Sequence, residues 1–192
     1  IIHRDIKPEN IVIDKFLRPY LADFGFSKLL KANQEQSGEM GSMIYMAPEI
    51  KEKDGRCKYS FAADIFALAI VFYEIAEGKT FDASNGELKQ IQDLILKWSK
   101  KEETPKFKYA TKELQELIIR MLSYNENDRP NISDICELLK DKKYWFRNTN
   151  EDEFNTYKNE IDDYEKKREE GQNDSYICEL IRNDSIENFI SH

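Results

Sequence analysis

Three short words near the start of the chain carry side chains that could do chemistry together: His3-Arg4-Asp5-Ile6-Lys7-Pro8-Glu9-Asn10, Asp23-Phe24-Gly25 and Ala47-Pro48-Glu49. Asp5 and Lys7 put a carboxylate and an ammonium two residues apart in one loop. Asn10 and Asp23 add oxygen donors of the kind preferred by Mg²⁺, a hard cation that shares its shell with phosphate oxygens. Singly, an Asp or Asn in a loop is most often a turn or cap residue. Four such residues together make that explanation improbable.

The elements that must position them are short strands and longer helices. Asn10 to Asp14 and Tyr20 to Ala22 are β-branched or aromatic runs separated by a polar turn ending at Pro19, which predicts a small hairpin. Asn10 and Asp23 then lie at its opposite ends, and the hairpin brings them to one place. Downstream the pattern is helical. Phe61 to Glu77 is apolar on every face, as expected of a buried central post. Leu88 to Trp98, Lys112 to Leu122 and Asn131 to Leu139 have one apolar face each and should pack around it. Asn131 after Pro130, with Asp134 three residues on, reads as a helix start.

The three words, in this order and at these separations, resemble the C-terminal lobe of a eukaryotic protein kinase. Seven fixed letters of the first word alone match by chance about once in 10⁹ positions. The resemblance covers roughly residues 1–140. It implies a mainly α fold, a kinase-like helical lobe with a small β-hairpin, and phosphoryl transfer from ATP with Mg²⁺. That chemistry needs an acceptor hydroxyl in line with the γ-phosphate and positive charge over the transferring oxygens. By resemblance, Asp5 accepts or orients the hydroxyl proton, Lys7 reaches the γ-phosphate, and Asn10 and Asp23 hold the metal. Lys7 also resembles the serine/threonine branch, which implies protein substrates with Ser or Thr acceptors.

Other positions carry regulatory or structural expectations. His3 is a tempting base, but the resemblance gives it a packing and backbone-bonding role beside Phe24. Arg4 resembles an arginine that meets a phosphorylated residue of the activation segment, here Asp23 to Glu49, placed there by another kinase or by autophosphorylation. The hydroxyl candidates are Ser37, the better one for regulation, and Ser42, at the place of a threonine that contacts the catalytic loop. Asp64 resembles an aspartate that binds the catalytic-loop backbone, and Glu49 with Arg129 resembles a structural ion pair.

Composition narrows the alternatives. The net charge is -8, with -2 over residues 1–140 and -6 over 141–192. Such a balance disfavours nucleic acid as the main partner. Cys57, Cys136 and Cys178 form no CxxC pair, and neither His3 nor His192 lies near them, so no zinc site or disulfide framework is supported and a cytoplasmic setting is expected. Phe61 to Ala76 contains Asp64 and Glu74 and is too short to span a bilayer.

Residues 141–192 read as an acidic extension, helical or partly disordered, in which Phe154, Tyr157, Ile161 and Tyr164 fall at helical spacing. Tyr144-Trp145-Phe146 should anchor its start on the lobe. The sequence opens inside the first word, and the resemblance implies a glycine-rich loop, a strand lysine and a partner glutamate upstream. The chain is therefore expected to be a fragment of a longer kinase with the N-terminal lobe absent, and inactive or poorly soluble alone. The competing class is a non-catalytic, pseudokinase-like interaction module.

Overall fold

The computed structural model describes residues 1–14, 18–26, 42–51, 59–83, 86–147 and 149–169. The chain forms two compact units, Ile1–Val12 with Pro19–Thr149, and Ile13–Arg18 with Asn150–His192. The architecture is mostly helical with one small antiparallel sheet.

That sheet pairs β1 (Ile11–Ile13) with β2 (Pro19–Leu21). Ala22 N–H donates to Asn10 O at 2.8 Å and Asp14 N–H to Arg18 O at 3.1 Å, a register that sets Val12 opposite Tyr20. Pro19 belongs to the strand rather than to the turn before it. As the first strand residue it need not donate to the ladder.

Helices α1 (Pro48–Lys51), α2 (Phe61–Glu77), α3 (Leu88–Ser99), α4 (Lys112–Met121) and α5 (Ile132–Leu139) make up the lobe. Ala63, Phe66, Ala67, Ala69, Ile70 and Val71 bury α2 on several sides, so it is the post that its apolar composition predicts. Two of its residues escape: Phe61 and Ile75 are exposed. The helix stops at Gly78, whose φ of 71° lets its N–H cap Glu74 O. A side chain there would be strained, and its Cβ would meet the Tyr109 ring at 3.3 Å.

The surrounding helices are amphipathic, and each buries its apolar stripe. Ile91, Ile95 and Trp98 are covered on α3; Leu114, Leu117, Ile118 and Met121 on α4; Ile135 on α5. Local chemistry sets where two of them begin. Thr111 Oγ1 accepts from Leu114 N–H at the start of α4, and Asn131 Oδ1 accepts from Asp134 N–H at 2.9 Å before α5. Beyond α5, Tyr144 and Phe146 pack against the core, and Trp145 donates through Nε1 to Leu139 O at 3.1 Å.

In the second unit α6 runs Glu151–Glu169. Asn150 Oδ1 accepts from the N–H groups of Asp152 and Glu153, and Glu151, Asp152 and Glu153 give its first turn the negative charge a helix N-terminus favours. Among the described residues, no helix is long and apolar enough to cross a membrane.

Candidate active site

The site is assembled around the loop that precedes β1. Asn10 is buried, and its Nδ2 donates to Asp5 O and Asp5 Oδ2, both at 2.8 Å. Lys7 Nζ stands 3.1 Å from the same Oδ2. Three of the four candidate residues are thus locked together by direct bonds. Among the described residues, Asn10 and Lys7 both engage Oδ2 of Asp5, which leaves Oδ1 lone pairs for a further donor. Because Asn10 spends its amide hydrogens on Asp5, its Oδ1 stays an acceptor and can serve a cation.

Asp23 reaches this place through β2 and not through a bond to the other three. It follows Ala22, whose N–H is held by Asn10 O, and it is exposed with φ 55°. Its Oδ1 accepts from Gly25 N–H at 3.1 Å. A Cβ on Gly25 would lie 2.9 Å from that oxygen, so only glycine leaves the carboxylate where it is. Among the described residues no group of three or more His, Cys, Asp or Glu side chains could cage a metal. A site of one amide oxygen and one carboxylate instead suits a cation that completes its shell with water and phosphate.

The loop is held from behind by α2. Asp64 Oδ2 accepts from His3 N–H at 2.7 Å and Oδ1 from Arg4 N–H at 2.9 Å. Arg4 has φ 75°, a left-handed conformation costly for a side-chain-bearing residue, and the two bonds from Asp64 fix it. His3 is buried, its Nε2 is 3.0 Å from Ala22 O, and its ring meets Phe24 edge-on at 4.9 Å. The Arg4 guanidinium sits 5.0 Å above the Tyr59 ring, and its Nε is buried without a hydrogen-bond partner among the described residues. Ser37 lies outside the described residues, as does the side chain of Ser42.

Farther from the loop, Arg129 and Glu49 form a two-pronged pair with both N–O distances at 2.7 Å. The Arg129 side chain is fully buried and also donates to Ser123 O, Ala62 O and Tyr124 O, so its charge and its hydrogens are satisfied together.

One buried link has no counterpart in the sequence reading. Tyr45 OH lies 3.0 Å from both carboxylate oxygens of Glu74, and Glu74 Oε1 accepts from Phe81 N–H at 2.7 Å. Burial pushes the Glu74 carboxyl up from its ordinary value; the bonds from Phe81 N–H and Tyr45 OH offset part of that rise, and the Glu9 charge adds to it. A buried acid in the middle of the mostly apolar run of α2 was the available signal.

The same residues stand in a recognisable sequence family. A protein kinase domain model matches residues 1–144. The chain belongs to the protein kinase family. Within this kinase family it is 34% identical over 146 residues to "Probable serine/threonine-protein kinase KCC4" of Saccharomyces cerevisiae, covering 75% of this chain and 14% of that protein. It is 32% identical over 146 residues to "Serine/threonine-protein kinase VIK" of Arabidopsis thaliana, covering 72% and 32%. With "Dual specificity protein kinase shkE" of Dictyostelium discoideum it shares 30% over 142 residues, covering 72% and 19%. The chain spans a third or less of the length of these kinases.

Proposed function

We propose that this chain is the catalytic-loop lobe of a protein serine/threonine kinase that transfers the γ-phosphoryl group of ATP to Ser or Thr hydroxyls of protein substrates. The observation that carries the reading is the Asp5, Lys7 and Asn10 cluster, bonded within 3.1 Å and anchored to α2 through Asp64. Asp5 offers Oδ1 to the acceptor hydroxyl and takes or orients its proton. Lys7, beside that carboxylate, supplies positive charge where transferring oxygens pass. Asn10 Oδ1 and the Asp23 carboxylate are the residues that would hold Mg²⁺. When bound, ATP with Mg²⁺ supplies the phosphoryl group and neutralises its charge. Arg4, in the loop directly before Asp5 and stacked on Tyr59, is the residue we assign to a phosphorylated partner in the activation segment.

Serine and threonine are favoured as acceptors by Lys7 and by the names of the relatives, one of which is called dual-specificity. We place the protein in the cytoplasm because Cys57, Cys136 and Cys178 form no CxxC pair or disulfide framework in the sequence. The test is phosphate transfer by the intact kinase, with Asp5→Asn and Asp23→Ala each set against wild type. A loss of at least ~100-fold in kcat for Asp5→Asn is expected from removing a positioned base. Unchanged transfer would sink the assignment and leave the interaction-module alternative.

A further inference from the structure

The kinase match stops at residue 144, so α6 lies beyond it and its role is open. Its sequence is mostly charged, and a 19-residue helix of that kind is marginal in water unless one face is covered. Its half-buried residues include Tyr157, Ile161 and Tyr164, spaced four and three apart along one stripe. Phe154, at the start of the same stripe, remains exposed. The other part of this compact unit, Ile13–Arg18, includes Asp14 and Arg18 at the far end of the hairpin.

There the guanidinium of Arg18 stands 5.1 Å from the centre of the Tyr164 ring. It is presented in one orientation, because Asp14 Oδ1 accepts from Arg18 N–H at 2.9 Å and Asp14 Oδ2 from Arg18 Nε at 2.8 Å. A cation held this way loses little freedom on meeting a ring.

We propose that α6 is an intrachain clasp whose Tyr157, Ile161 and Tyr164 stripe docks on the hairpin where Asp14 meets Arg18, with Tyr164 seated against Arg18. The hairpin is the covalent link between Asn10 and Asp23, so restraining its turn steadies the strands that end at those two residues. The clasp stands or falls independently of the phosphotransfer reading, because its test needs no activity.

That test is amide hydrogen exchange on the full chain, comparing wild type with Tyr164→Ala and Tyr164→Phe. Alanine is the better helix former, so it should protect an undocked helix more, not less. Docking predicts the reverse: roughly two- to five-fold faster exchange in Tyr164→Ala, both along Tyr157 to Tyr164 and at the Asp14 amide, from loss of one cation–π contact. Tyr164→Phe keeps the ring and should exchange like wild type. Equal rates in wild type and Tyr164→Ala would overturn the proposal. So would faster exchange in α6 with none at Asp14, which would place the docking elsewhere.

Discussion

Along α2, α4 and α5, Phe66, Ile70, Ile118, Met121 and Ile135 are at most 1% exposed, whereas on the hairpin Val12 is 52% and Tyr20 45% exposed. Charge follows the same division. Arg129 in the core has every hydrogen-bonding direction occupied, while Asp23 at the hairpin's end holds one backbone N–H and faces solvent. Stability and the proposed chemistry therefore reside in different regions of one lobe. A side chain with all its partners is inert, and one with valence to spare can meet a ligand.

The sharpest way to break this contrast is Arg129→Met. It strands the Glu49 carboxylate and three backbone carbonyls, and we expect a loss of about 3–5 kcal/mol in urea unfolding of the intact protein. A loss below about 1 kcal/mol would show that the core does not depend on the pair.

Next comes Glu74→Gln, read as a function of pH. The folded-state carboxyl titrates above its ordinary value of 4.5, so between those two values the folded chain holds a proton that the unfolded chain has released. Stability contributed by the protonated group is full below 4.5 and falls as pH rises through the raised folded value. Glutamine mimics the protonated side chain. The variant should match wild type near pH 4 and become more stable relative to it at higher pH. Parallel urea midpoints across that range would contradict the assignment.

Smallest is Val12→Ala on the hairpin, where half the side chain is already in water. A change within about 0.5 kcal/mol is expected by the same unfolding assay. A core-sized loss would erase the distinction between the two regions.

Much of the lobe is legible in the letters because its signals are local. The run from Phe61 to Glu77, with apolar residues on every face, marks α2, and Asn131 three residues before Asp134 marks the start of α5. The words around Asp5, Asn10 and Asp23 name the candidate residues, but the shared use of Asp5 Oδ2 by Asn10 and Lys7 is geometry that no spacing states. Nor does any local pattern announce that Tyr45 will meet Glu74, 29 residues on, or that Arg4 will lie on Tyr59. Those pairings follow from how the helices stack, and a one-dimensional period carries no record of it. Pro19 reads as the end of a turn because proline's preference for turns outweighs its tolerance at the start of a strand, and the structure places it in β2.

The two bonds from Asp64 to the loop span 61 and 60 residues of chain, and the Glu49 to Arg129 pair spans 80. They work like chords drawn across a long string, and each must be tied before the loop has a shape. Closing loops of that size carries an entropy cost that the packed helices between the ends must offset. A synthetic peptide from Ile1 to Gly25 would contain Asp5, Lys7, Asn10 and Asp23, yet it would lack the carboxylate that bends Arg4 into place. Such a peptide would hold the letters of the site without holding the site.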